Sequence, residues 1–121
     1  MPLEFYLVTH LVGVFMILLA LGGIALHMIN GGSRAYASRR FISIIHGLGL
    51  LVSFVAGFGM LAKLGIMGAL PLWVILKLVI WLILGGIPVA FYRTPKRSKF
   101  LFLTVLVWAG FAAYLGIYKP F

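Results

Sequence analysis

Apolar residues fall in four long runs separated by short polar stretches, with no strand-like alternation anywhere along the chain. The runs cover about Phe5–Met28, Phe41–Ala62, Leu72–Tyr92 and Phe100–Tyr118. Each is about 20 residues, or ~30 Å as a helix, which matches the hydrocarbon core of a bilayer. Gly31-Gly32-Ser33 ends the first run, and Lys63, Gly65, Gly68 and Pro71 make a turn between the second and third. Thr94-Pro95 breaks the third, and Lys119-Pro120-Phe121 stops the fourth. Connections this short predict an all-α, up-down-up-down bundle of four transmembrane helices, forming one domain over residues 1–121.

Composition agrees with the pattern. Of 121 residues, 64% are hydrophobic and only 9% charged, against roughly half and a quarter in soluble domains. Mean hydropathy is +1.23. The first run follows Met-Pro-Leu-Glu, lacks a basic leader and exceeds the core of a signal peptide, so it reads as a retained helix. The net charge of +9 would suit nucleic acid, but the basic residues lie in short loops. There they set topology and face anionic lipid, and no nucleic-acid partner is expected.

Arg34, Arg39 and Arg40 follow the first run, and Arg93, Lys96, Arg97 and Lys99 follow the third. The opposite side carries Lys63, Lys119 and the only acid, Glu4. The excess of positive charge on cytoplasmic loops therefore predicts that both termini lie on the non-cytoplasmic side.

Small and polar residues recur at helical spacing. Gly13, Ala20, Gly23 and His27 form one stripe on the first span, with His10 at its edge, and His46, Gly49, Ser53, Ala56 and Met60 form one on the second. Such stripes let membrane helices approach closely, so the first two helices are expected to pack through them. On the third span Trp73, Lys77, Trp81 and Pro88 share a face, and on the fourth Thr104, Trp108, Phe111 and Leu115 do so.

Lys77 is the residue that the bilayer should resist, since an ammonium in hydrocarbon needs water, a partner or an escape to the headgroups. It is a charge partner for a propionate, a proton-transfer group, or a lysine that snorkels outward. His10 and Lys77 each lie about five residues into their spans, ~7–8 Å below the outer boundary. His27 and His46 belong near the inner boundary, ~5 Å apart in depth, while His10 and His46 are separated by ~15 Å. His27 and His46 on facing helices would suit haem b or a metal, and His10 could ligate only with a group at its own level. The bland alternatives are a carbonyl-bonded His10 and a His27 that only touches headgroups.

Other chemistries are excluded by what the chain lacks. Without cysteine there is no disulfide, thiolate ligand or iron–sulfur site. Without aspartate there is no Ser-His-Asp triad, and one glutamate gives no carboxylate pair. The glycines follow no strand and form no phosphate loop.

Thr9-His10, the Pro71-Leu72-Trp73 entry, Leu76-Lys77-Leu78, Leu84-Gly85 and the closing Tyr118-Lys119-Pro120 together resemble a known group. The chain is similar to the small four-helix membrane proteins that include HemJ-type protoporphyrinogen oxidases and SirB-like proteins. The resemblance implies haem b as cofactor, with functional weight on His10 and Lys77 and a weaker correspondence at His27. This chain has a single acid and lacks the group's extended loop motifs. Two functions are therefore carried forward. One is a haem-associated redox or haem-handling protein of the bacterial inner membrane, and the other is a non-catalytic subunit or assembly factor of a larger membrane complex, or a homo-oligomer. A small transporter or channel is weaker, since no inverted repeat or polar pore lining is visible.

The loop charges make one testable statement. A topology reporter fused at Phe121 should respond as non-cytoplasmic, and a cytoplasmic response would reverse the orientation together with the assignment of inner and outer sites.

Overall fold

The computed structural model describes residues 2–119, so the Pro120-Phe121 stop expected after the fourth span lies outside the described residues. Four helices follow one another: α1 (Leu3–Ile29), α2 (Arg39–Leu64), α3 (Leu72–Arg93) and α4 (Ser98–Tyr118), with a short 3-10 turn at Pro95–Arg97. All four are long and apolar enough to cross a membrane. The helices overrun their apolar runs where polar residues tolerate helical geometry, so α2 begins with the two arginines Arg39 and Arg40.

The helix ends follow local chemistry. Gly31 and Gly65 adopt left-handed backbone, with φ of 85° and 75°. Each supports a paired closure: Gly32 N–H donates to the His27 carbonyl and Gly31 N–H to Met28, as Ile66 N–H does to Leu61 and Gly65 N–H to Ala62. These bonds satisfy carbonyls that a helix end would otherwise leave bare in a poorly solvated region. Ser98 is buried, and its hydroxyl donates to the Pro95 carbonyl at 2.7 Å, tying the 3-10 turn to the start of α4.

α1 is the central helix: it touches α2, α3 and α4, whereas α2 and α4 do not meet among the described residues. Its contact with α2 is the most extensive of the bundle. Gly13 and Gly49 make that contact possible. A Cβ on Gly13 would fall 2.5 Å from the Ser53 nitrogen and 2.9 Å from the Gly49 oxygen, and one on Gly49 would fall 2.8 Å from the Gly13 oxygen. The two backbones touch. Tyr6 lies against Gly59 at one end and Gly23 near Ile42 at the other, so the pair runs antiparallel in a single register.

The buried line on α1 differs from the expected stripe. Gly13, Ile17, Ala20, Leu21, Ile24 and Met28 are buried, while Gly23 is exposed and His27 only partly covered. Because α1 packs on three neighbours, large apolar residues join the small Ala20 and Ala25 in its buried line beyond the Gly13 contact. On α2, His46, Gly49, Ser53 and Ala56 are buried and Met60 is half-buried. On α3 the buried line is Trp73, Ile80, Leu84, Ile87 and Phe91, with Trp81 and Pro88 at its margin. On α4, Val105 and Leu115 are buried, but Phe111 is 38% exposed, so the inward face turns toward Trp108 and Ala112 instead. The outer surface is almost wholly apolar, with Leu19 at 75% and Ile117 at 74% exposure, as hydrocarbon contact requires.

The glycine contact sets a stability expectation. Gly13→Ala and Gly49→Ala should each cost on the order of 1–3 kcal/mol, because backbone rather than a flexible side chain must give way. Gly110→Ala should be neutral or mildly stabilising, since no atom lies within 4 Å of its added methyl. Thermal unfolding in detergent compares the three, and equal midpoints would reject the α1–α2 contact as the tight one.

Candidate functional site

Each histidine is held by a backbone carbonyl, and the consequences differ. His46 is buried, and its Nε2 lies 3.0 Å from the Leu84 oxygen. Pro88, four residues further along α3, has no N–H to give that carbonyl, so the helix leaves Leu84 without its usual donor. His46 Nε2–H supplies it. In the other direction, Trp81 Nε1–H donates to the Leu50 carbonyl at 3.1 Å. Two side-chain bonds thus join α2 and α3, which otherwise touch little.

His27 closes the α1–α2 loop. Its Nε2–H donates to the Ser33 carbonyl at 2.7 Å, and its ring stacks on Tyr36 with centroids 4.0 Å apart. Any side chain at Gly32 would collide with that imidazole. Tyr36 in turn shares a 2.7 Å hydroxyl–hydroxyl bond with Tyr92, and the Arg39 guanidinium lies 5.4 Å from the Tyr92 ring centre. The loop is therefore strapped to the end of α3. Sequence reasoning placed His27 and His46 about 5 Å apart in depth. The α1–α2 register instead sets His46 level with about Leu19, eight residues or ~12 Å from His27. In each ring Nε2 is engaged by a local carbonyl.

His10 is held in the same way: its Nδ1 lies 2.8 Å from the Ser53 carbonyl, and a carbonyl can only accept, so Nδ1–H donates to it as Nε2–H does in His27 and His46. Gly57 opens the notch: a Cβ there would lie 3.3 Å from Nδ1. The Ser53 hydroxyl turns away to the Leu50 carbonyl at 3.1 Å and does not compete. In its neutral form an imidazole with one nitrogen fixed by a backbone carbonyl offers the other as a ligand or proton acceptor, and this holds for each of the three histidines.

Lys77 stands in the inward line of α3, between buried Trp73 and Ile80, and is itself half-buried. Its ammonium lies against Gly116 of α4, where an added Cβ would meet Nζ at 3.0 Å. Lys119 reaches the same glycine from the other side. It adopts left-handed backbone at φ 49°, and its Nζ donates to the Gly116 carbonyl at 3.0 Å while lying 5.6 Å from the Trp73 ring centre. Two ammonium groups thus converge on Gly116 beside an indole. The contacts Tyr6–Gly59, Gly13–Ser53 and Phe54–Trp81 bring His10 and Lys77 to one level, within about one turn or ~5 Å. Glu4, in the exposed first turn of α1, lies about six residues or ~9 Å nearer the helix end than His10.

Gly116 and Lys119 are not candidate site residues from the sequence, where Lys119 reads as a stop, a topology charge and part of the closing Tyr118-Lys119-Pro120 motif. Their three-residue spacing is visible, but its meaning depends on the α3–α4 register.

The strapped loop has a pH signature. The Tyr36 phenol is pushed well above its ordinary value of 10.0, first by burial and then by its bond to Tyr92, with the Arg39 guanidinium pulling the other way. Above that ordinary value the unfolded chain loses a proton that the folded chain keeps, so this contribution to stability is full below it and declines as pH rises. Unfolding midpoints measured from about pH 8 to about pH 11 should therefore converge for wild type and Tyr36→Phe as pH increases. A gap that stays constant across the range would sink this account of the phenol.

Compared with models of protein families, with curated proteins and with solved structures, the chain matches none, and its function is read from the residues themselves.

Proposed function

We propose that this chain is a haem b-handling or redox protein of the bacterial inner membrane, its helices running up-down-up-down with both termini on the non-cytoplasmic side. The observation that carries the reading is the free Nε2 of His10, set at the level of two ammonium groups. Haem b combines an iron that takes imidazole with carboxylates that take ammonium, and the donor set fits both. When bound, the haem would supply one-electron chemistry.

The chain's own residues divide the remaining work. His10 offers Nε2 as the ligand, and the Ser53 carbonyl fixes its tautomer and increases its basicity. Lys77 and Lys119 hold carboxylate by charge-assisted hydrogen bonds, which are strong where water is scarce. Gly57 and Gly116 keep both positions open. The resemblance of Thr9-His10 and Leu76-Lys77-Leu78 to HemJ-type and SirB-like proteins supports the same two residues. On this reading His27 and His46 are structural, holding the loop and the proline-freed carbonyl.

A second reading, a non-catalytic subunit of a larger membrane complex, draws on Gly86 and Gly110. Both are exposed with nothing within 4 Å, as helix faces that admit a partner helix are.

The absorption spectrum of the purified protein separates the two. A Soret band near one haem per chain is expected, lost on His10→Ala and reduced several-fold by Lys77→Met. It should be retained in Lys77→Arg and in His46→Ala, the latter at lower thermal stability. The His10–Lys77 double variant should lose less than the sum of the single effects. A colourless wild type that co-purifies with other chains would favour the second reading. Equal haem content in wild type and Lys77→Met would reject the role of Lys77.

A further inference from the structure

At the opposite end of the bundle, a shallow, open hollow lies between the α1–α2 loop and the first turns of α2. It is lined by Ala35, Tyr36, Ala37, Arg39, Arg40 and Ser43. The small side chains of Ala35 and Ala37 leave it open. Tyr36 in its lining is held between the His27 ring and the Tyr92 hydroxyl. Arg39 is oriented by lying over the Tyr92 ring, and Ser43, four residues after Arg39 and three after Arg40, shares their helix face.

The electrostatics are one-sided. The first turn of α2 contains no acid, and two cations there oppose the helix dipole. The only acid of the chain stands at the far end of α1. Two guanidinium groups with a hydroxyl beside them suit a phosphate, whose oxygens accept paired N–H bonds. The position selects the kind of phosphate. The apolar run of α2 starts at Phe41, so the hollow lies at the level of lipid headgroups. Below it Gly47 is exposed with nothing within 4 Å, between exposed Ile44, Leu48 and Leu51. That face offers a trough in line with the hollow.

We propose that the hollow is a binding site for an anionic phospholipid, with the diester phosphate held by Arg39, Arg40 and Ser43 and an acyl chain lying along the trough at Gly47. The site is independent of His10 and Lys77. It is set apart from the general attraction of basic loops to an anionic leaflet by the convergence of Arg39, Arg40 and Ser43 on one open hollow.

The test is native mass spectrometry of the full-length protein in detergent, titrated with phosphatidylglycerol or phosphatidylcholine. Wild type should retain phosphatidylglycerol at least tenfold more tightly than phosphatidylcholine. Arg39→Gln/Arg40→Gln should abolish the preference. Ser43→Trp, which fills the hollow and leaves both guanidinium groups, should abolish it too, with helicity unchanged by circular dichroism. Arg97→Gln/Lys99→Gln, on the same side but outside the hollow, should retain it. Wild-type retention by Ser43→Trp, or an equal loss in Arg97→Gln/Lys99→Gln, would show that loop charge alone attracts lipid and would overturn the site. Displacement of the lipid by millimolar inorganic phosphate would make it a free-anion site and would equally overturn the lipid assignment.

Discussion

The structure depends on the backbone contact between α1 and α2 at Gly13 and Gly49. Lipid tails are as apolar as leucine, so helices in a membrane gain little from hiding apolar side chains from one another, and close packing with polar satisfaction must hold them. The missing side chains at these two positions bring the helices to contact distance and allow only one register. That register places His10 over the Ser53 carbonyl, with Gly57 clearing the notch. A shift of one helical turn would move the imidazole away from this carbonyl and leave its tautomer undetermined.

A second constraint follows from solvent. In hydrocarbon an unsatisfied carbonyl costs several kcal/mol, and Pro88 creates one at Leu84. The fold answers it with His46, so a residue type that suggests a metal ligand is used here as a hydrogen-bond donor. The same logic accounts for Ser53 and Thr104, whose hydroxyls return to carbonyls of their own helices at 3.1 and 2.7 Å. Within the described residues, no buried side-chain nitrogen or oxygen lacks a partner.

Charge balance links the two ends of the molecule. With ten basic residues and one acid, the chain cannot neutralise itself. At one end Lys77 and Lys119 converge on Gly116. At the other Arg39 and Arg40 border an open hollow. Both arrangements leave cations without an acidic partner in the chain, so anions from outside it are the natural complement. They differ in depth: the first is set within the bundle and shaped by glycine, whereas the second is set at the headgroup boundary and shaped by a strapped loop.

By itself the sequence determined four membrane-length helices and, to within about two residues, where they end, because span length, loop glycines and prolines act locally. The α2 stripe of His46, Gly49, Ser53 and Ala56 was also legible, since it follows from 3.6-residue periodicity alone. Periodicity marks a face but does not say which neighbour meets it or at what height. The expected α1 stripe therefore failed at Gly23 and His27, where three neighbours compete for one helix. Only the tertiary structure decided that His46 completes a proline-broken helix, that His27 closes a loop, and that His10 sits on the Ser53 carbonyl at the level of Lys77. Only it brought Lys119 and Gly116 to Lys77. Each of these depends on the register between helices distant in sequence, and that register is set by backbone contact, which composition and spacing do not encode.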